Sequence, residues 1–499
     1  MRISSILLCL LIVSCAKIRQ DQGEQLYATH CARCHTLPKI DHLTKNEWAL
    51  NVLPEMGTRM GIKDSTFDPY KGYTHAEQYE RMLSGAYSAV PTITEEDWQD
   101  LKKYIIANAP DELPKIEEAT YQTLEQFTFK NIAIDSVPGS TISFLDFDEQ
   151  TKNIVLGDLN GSYKTYDYAT QKTQQHFQSR NAITAITNLD STSYITSVGL
   201  LNPSELKEGS LTVRQGESTK TIATELHRPV HTLVHDFNHD GENEIIVCEF
   251  GHLTGSLSLL KKNDQGIYEK SLLAQSPGAT KSIIRDLNND DKDDIVFLQA
   301  QGDETLMVLY QQENLTFSMD KLLRFSPIYG TSWFEMTDVD GDGDEDIITV
   351  HGDNADKTQI LKPYHGMRIH LNDGNNRFEE AFFYPMYGAT RSASGDYDQD
   401  GDIDIALVSS FPNYDEEFVK TFVYLENIGE AEFQFQSKTL PQEYDDKWFL
   451  IASADVDSDG DLDIILSAFT YNFSPIPEEL ATKWSSSTDI LVLENTLIQ

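Results

Sequence analysis

Basic residues are scarce. Lys and Arg together number 39 against 80 Asp and Glu, a formal net charge of −41 over 499 residues. That balance argues against nucleic acid as a partner, because phosphate must be met by Lys and Arg. It argues equally against a polybasic mode of membrane binding, and it suits bound cations. Cysteine is scarce too: five residues are too few for a disulfide-dense secreted scaffold. No segment reaches the roughly 18 consecutive apolar residues that a membrane-spanning helix needs. Disorder is excluded from the other side, because 39% of the chain is hydrophobic and 10% aromatic. The length suits two or three domains, or one small domain and one large all-β domain.

The first fifteen residues read as a secretory signal. Met1-Arg2 is a short basic region, and Ile6 to Val13 is an apolar stretch too short to span a bilayer. Ile12-Val13-Ser14-Cys15 resembles a bacterial lipobox. The resemblance implies a lipid on Cys15, and Ala16 in place of Asp implies the outer membrane, on its periplasmic or cell-surface side. The mature chain is then anchored to a membrane without spanning it.

Residues 16–115 carry the first chemistry. Cys31-Ala-Arg-Cys34-His35 is a C-x-x-C-H motif. Two thiols three apart on a helical turn can each form a thioether to one haem vinyl, which sets the next residue, His35, beneath the iron. A zinc site wants four N/S ligands, and the other mature cysteines, Cys15 and Cys248, are far away in sequence. A redox dithiol wants a βαβ context, whereas this region reads helical. With Gly23, Leu26 and Tyr27 ahead of it, the motif resembles the first helix of class I c-type cytochromes, implying one covalent haem c per chain. The sixth ligand is expected to be a Met, with Met56, Met60 and Met82 as candidates. Val52-Leu-Pro54-Glu-Met56-Gly57 resembles a run in small cytochrome domains fused to repeat proteins, which favours Met56, with Met60 next. Thr94 reads as a helix N-cap ahead of Glu95, Glu96 and Asp97. Trp98, Leu101, Tyr104 and Ile105 recur at helical spacing. They resemble the C-terminal helix that crosses the haem-bearing helix in that family.

The acidity belongs to the remainder of the chain: residues 16–115 sum to −3 and the part after them to −39. Residues 116–139 read as a linker with a strand, 125–134, that closes a ring, and residues 140–499 are repetitive. Asp338, Asp340, Asp342, Asp344 and Asp346 precede a β-branched run. So do Asp396, Asp398, Asp400, Asp402 and Asp404, and again Asp455, Asp457, Asp459, Asp461 and Asp463. Weaker copies are Asp236, Asn238, Asp240, Glu242 and Glu244, and Asp286, Asn288, Asp290 and Asp294, where Asp291 replaces the turn Gly. Side chains at loop positions 1, 3, 5 and 9, a Gly at 6 and a carbonyl at 7 make an oxygen cage for Ca²⁺. The loops are not EF-hands, because position 12 lacks the Glu and each loop enters a strand. Three ions are expected, up to five with the weaker copies.

This pattern resembles the FG-GAP/VCBS repeats of calcium-binding propeller blades, including those of integrin α chains. Degenerate copies near 146 and 190, where no metal is expected, bring the units to seven. The fold class is therefore multidomain: a small all-α cytochrome c domain, then an all-β seven-bladed propeller with four strands per blade. His227, His231, His235 and His239 read as structural, with His231 and Arg228 the pair expected to face the central channel. Cys248 reads as a buried thiol.

Two function classes follow. In one, the protein is a membrane-anchored electron carrier serving a redox partner or a quinol-chain component, and the propeller is a docking platform for a protein or glycan. In the other, the propeller is a quinoprotein-like sugar or alcohol dehydrogenase feeding the haem. The vicinal Cys-Cys and W-type repeats of eight-bladed quinoproteins are missing, which favours the non-enzymatic reading. A calcium-dependent adhesion module with the haem as sensor is a further alternative, and it wants an open sixth position.

Overall fold

The computed structural model describes residues 22–117, 119–355, 358–416, 419–429, 433–471, 475–484 and 488–497. The signal segment and Cys15 lie outside the described residues. The chain divides into two compact units. One holds Met1–Lys115 with two short later segments, Phe325–Ile328 and Asp356–Lys362, and the other holds the rest from Ile116. Among the described residues, no helix is long and apolar enough to cross a membrane.

The first unit is helical. A helix over 22–31 carries Tyr27 and Cys31. Thr44 caps a helical run from Lys45 to Arg59, accepting the Glu47 N–H at 3.2 Å. Its middle, Trp48–Val52, is a π turn, and Pro54 follows in the first turn of Leu53–Arg59. Proline has no N–H to give the preceding turn, and a widened turn accommodates that loss. His75–Leu83 starts with a full capping box between Thr74 and Glu77. Glu95–Asn108 is capped by Thr94, as expected, and buries Trp98, Leu101 and Ile105.

Glycines let these helices touch. A Cβ on Gly23 would lie 2.5 Å from the Tyr104 Cβ, so the first helix crosses the last one there. A Cβ on Gly57 would lie 2.8 Å from the Trp98 ring, which fixes Leu53–Arg59 against the same helix.

Among the described residues the second unit forms seven sheets, six of four strands and one of five, and the blades follow one another in sequence order. Blades 1 to 7 begin with the strands Ile142–Asp148, Ile183–Leu189, Pro229–His235, Ala279–Arg285, Thr331–Thr337, Ala389–Gly395 and Trp448–Ala454. Each first strand touches the first strand of the next blade, and Trp448–Ala454 touches Ile142–Asp148, so the ring is closed. Second strands are apolar runs because neighbouring blades cover both of their faces: Ile347, Ile348 and Val350 of blade 5 and Ile405, Leu407 and Val408 of blade 6 are fully buried. The core is accordingly spread between blades, as where Val350, Met367 and Ile369 pack on Ile405, Leu407 and Val423.

The ring closes through the expected strand. Phe127–Ile132 pairs antiparallel with Ile490–Asn495 and completes blade 7. Gln122–Thr123 adds a parallel fifth strand to blade 6. The propeller unit thus reaches back to Ile116, well ahead of residue 140. Phe127 is buried against Tyr397 of blade 6 and Tyr424, at ring separations of 6.3 and 5.9 Å. We predict that Phe127→Ala lowers the stability of the propeller by about 3–5 kcal/mol in denaturant titration. An unchanged midpoint would show that this strand does not hold the ring together.

Candidate functional sites

In the first unit, the motif sits where the first helix ends. Cys31 is the last helical residue and half-buried, while Cys34 is exposed in the following turn. Burial first, and then the neighbouring Cys34, push the Cys31 thiol up to about 12. Tyr27 is buried, and its hydroxyl donates to the Pro38 carbonyl. Trp48 Nε1 donates to the Ile40 carbonyl at 2.8 Å. These two bonds pin the chain that follows the motif against the helices.

His35 Nδ1 lies 2.8 Å from the Thr36 carbonyl oxygen. A carbonyl only accepts, so Nδ1 carries the proton and Nε2 keeps its lone pair. That is the tautomer an iron ligand needs. The donor set therefore fits haem c: two thiols at the required spacing, a histidine with Nε2 available, and an apolar surround that includes Leu43, Trp48 and Leu53. Met56 and Met60 both pack against this surround, whereas Met82 is 64% exposed.

In the propeller, the five acidic loops share one place in the fold. Each joins the first strand of its blade to the second, in blades 3 to 7. They also share a backbone. Position 6 has positive φ in all five: Gly241, Asp291, Gly343, Gly401 and Gly460, at 87°, 61°, 98°, 98° and 100°. Asp291 thus takes up the turn that Gly makes elsewhere, at a conformational cost that Asp tolerates better than most residues. Position 4 is also left-handed, at His239, Asn289, Gly341, Gln399 and Ser458. Only one of these is Gly, so residue type carries little signal for this second left-handed position.

Within loop 338, carboxylates organise the turn by accepting backbone N–H groups. Asp338 accepts from Gly341, Asp342 and Gly343 at 2.8, 3.1 and 3.0 Å. Asp340 accepts from Asp342, and Asp342 from Asp344. The position-9 carboxylates are placed differently: Glu244, Asp294, Asp346, Asp404 and Asp463 are all buried at the start of the second strand. Asp463 Oδ2 accepts the Val456 N–H and its Oδ1 the Asn495 N–H, both at 2.8 Å. Asp346 does the same with Val339 and Asn372.

Carboxylate oxygens gather within 4.8 Å of one another in three loops: Asp338, Asp340 and Asp346; Asp396, Asp398 and Asp400; Asp455, Asp457 and Asp463. Each set can hold a metal ion. The side chains of Asp344, Asp402 and Asp461 at position 7 are not in these sets. No such gathering is found in the weaker copies among the described residues, and an ammonium is present in each. Lys261 Nζ lies 3.3 Å from Glu244 and 3.8 Å from Asp240. Lys262 pairs with Glu242. Lys292 Nζ lies 3.3 Å from Asp290. Asn238 turns its amide onto Asp240 at 2.9 Å.

The remaining candidates are structural. The Arg228 guanidinium donates to the carbonyls of Leu200, Leu201 and Gly251, so it clamps loops rather than pairing with His231 at the channel. Its φ of 47° lifts it off the strand that begins at Pro229. His227 Nε2 meets the Ser204 carbonyl. His231 and His235 do share a face, toward Ser282 and Asp293 of blade 4. Cys248 is buried, with its sulfur 3.6 Å from the Ser282 hydroxyl.

Residues 20–108 match the family model for cytochrome c. Residues 286–349 and 396–466 match the model for the FG-GAP-like repeat. The first unit thus contains a cytochrome c domain, and the propeller contains FG-GAP-like repeats. No curated protein matches this chain. Among solved structures, it is similar to the N-terminal domain of Nup159, at 13% identity over 76% of this chain and 98% of that one, with a TM-score of 0.42. It is also similar to an ancestral GH74 enzyme (9% identity, 73% and 49% covered, 0.47) and to the WD40 domain of SCAP from fission yeast (12%, 77% and 91%, 0.39). Nothing about activity follows from likenesses at this level.

Burial, reinforced by neighbouring acids, pushes Asp404 and Asp463 up to about 7 and Asp402 to about 6. Buried Glu304 moves the same way, to about 8. An unfolded carboxylate titrates near ~4. Between those values the folded state binds more protons than the unfolded one, so stability falls as pH rises. We expect EDTA-treated protein to melt at a lower temperature at pH 8 than at pH 5. Buried His231 and His370, held neutral, act in the opposite direction, so the acids are read by comparison: Glu304→Gln should flatten the fall between pH 5 and 8, and an unchanged course in that variant would contradict the assignment.

Proposed function

We propose that this protein is a haem c electron carrier whose propeller is a calcium-stabilised docking or binding platform, tethered to the outer membrane by a lipid on Cys15. The observation that carries the electron-transfer reading is His35. Its Nδ1 is committed to the Thr36 carbonyl, which leaves Nε2 for iron, directly after two thiols at thioether spacing. Cys31 and Cys34 would hold the group covalently, and Met56 would be the distal ligand. Bound haem c supplies a one-electron couple. The chain's own part is to fix the imidazole tautomer and to keep water away with Leu43, Trp48, Leu53 and Trp98. A redox protein or a quinol-chain component would exchange electrons with this domain.

The calcium reading is supported by the three gathered carboxylate sets. Several carboxylates within contact distance repel one another unless a cation sits among them, and oxygen-only ligands suit a hard divalent ion. The lysines beside loops 236 and 286 supply that positive charge internally, which favours three ions over five.

Two outcomes are expected. On protein matured in a host that attaches haem c, a pyridine haemochrome spectrum gives one c-type haem per chain, and Cys31→Ser with Cys34→Ser abolishes it. Met56→Ala then removes the Met–iron charge-transfer band of the oxidised protein, while Met60→Ala retains it. The reverse pattern would make Met60 the ligand, and no covalent haem at all would defeat the electron-carrier reading. For calcium, a site saturated a hundredfold above its Kd contributes about 2.7 kcal/mol. EDTA should therefore lower the melting of the β-sheet circular-dichroism signal by several degrees, and added Ca²⁺ should restore it. Melting indifferent to both would overturn the calcium reading.

A further inference from the structure

The inner ring of the propeller carries a group of charges that the proposed function does not use. Lys281, Trp333 and Arg391 lie on the first strands of blades 4, 5 and 6, paired with Leu298, Val350 and Val408. Each is the first paired residue after a bulge, so the three stand at one level of the ring. Both cations lie over the same indole: Lys281 Nζ is 3.7 Å and the Arg391 guanidinium carbon 4.4 Å from the Trp333 ring centre. All three side chains are deep in the ring yet keep part of their surface accessible, as residues lining a central lumen do.

The donors outnumber the acceptors. Arg391 makes no hydrogen bond or ion pair with any described residue, although a guanidinium carries five N–H groups. Lys281 gives one bond, to the Phe334 carbonyl at 2.9 Å. Trp333 Nε1 is buried without an acceptor. The acid that bears most on Lys281, Glu335, is already engaged: Ser392 donates to one oxygen, and Ser394 donates to the other through its N–H at 3.0 Å and its hydroxyl at 2.8 Å. No ion pair links Glu335 to either cation among the described residues. Asp146 also bears on Lys281; burial pushes its carboxyl up to about 6, so it is still ionised near neutral pH, and no ion pair joins it to Lys281 or Arg391 among the described residues. On the other side, His231 is held neutral by burial and by the fields of Lys281 and Arg391. Of these donors the Trp333 N–H is the one buried without a partner, and such a donor is costly unless something accepts from it.

We propose that the propeller channel holds a small oxyanion, bound by the Arg391 guanidinium fork, the Lys281 ammonium and the Trp333 indole N–H. The fork matches the paired oxygens of a carboxylate or a phosphate. The rest of the chain is strongly acidic, which disfavours polyanions and leaves a small oxyanion as the class of ligand. The site is separate from the acidic loops, which follow the far ends of the same strands.

Isothermal titration of the full chain at low ionic strength, with acetate and with inorganic phosphate as separate probes, tests this. Saturable one-to-one binding of acetate assigns a carboxylate site, and binding of phosphate alone assigns a phosphate site. Arg391→Gln should weaken the bound anion at least about tenfold, the loss of one charge-assisted pair. Trp333→Phe keeps the ring beneath the cations but lacks the N–H, and should weaken binding severalfold with unchanged melting. If Arg391→Gln fails to fold, the Trp333→Phe result decides. No binding of either anion at millimolar concentration, or binding that neither substitution alters, overturns the proposal.

Discussion

One buried carboxylate in each of blades 3 to 7 holds its acidic loop to the propeller. In blades 4, 5 and 7 the acid at the head of the second strand takes one backbone N–H from the start of its own loop and another from the end of the third strand: Asp294 from Leu287 and Gln311, Asp346 from Val339 and Asn372, Asp463 from Val456 and Asn495. In blade 6, Asp404 accepts from Asn427 and from the hydroxyl of buried Tyr424. A buried carboxylate without such donors would be costly to keep. With them, it ties three strands and a loop together, and the loop's other acids are thereby carried to one spot.

The five loops then diverge by what balances their charge. In blades 5, 6 and 7 the carboxylates converge and, among the described residues, no lysine forms an ion pair with these sets, the arrangement that a divalent cation completes. In blades 3 and 4 a lysine from the next strand or from the loop itself supplies the positive charge. Asn in place of Asp at position 3 lowers the charge further. One backbone template thus serves both a cation-requiring and a self-neutralised version of the same turn.

The cytochrome domain rests on a different constraint, close helix approach. Gly23 and Gly57 remove the side chains that would separate the first helix and Leu53–Arg59 from Glu95–Asn108. That crossing aligns Tyr27, whose bond to Pro38 steadies the chain just past His35. The Thr36 carbonyl, two residues before Pro38, in turn fixes the imidazole tautomer. Packing decisions far from the motif therefore reach its histidine through the backbone.

Local patterns made much of this legible. C-x-x-C-H, the Thr94 cap, the apolar second strands, the glycine turns and the seven-fold spacing are short-range signals, set by a residue and its near neighbours. The ring-closing strand, expected within 125–134 and found at Phe127–Ile132, was legible from its β-branched and aromatic pattern ahead of the repeats. The rest depended on distance in sequence. That Arg228 serves loops at 200 and 251 rather than His231 is decided by a single left-handed residue. The lysines that neutralise loop 236 come from a strand more than twenty residues later. Lys281, Trp333 and Arg391 are over fifty residues apart from one another and meet only because ring closure sets three first strands at one level. The sequence by itself determined which turns, caps and strands form, because these follow from backbone preference and alternation. Tertiary structure alone decided which charges face one another, because electrostatic partners are chosen by proximity after the ring has closed.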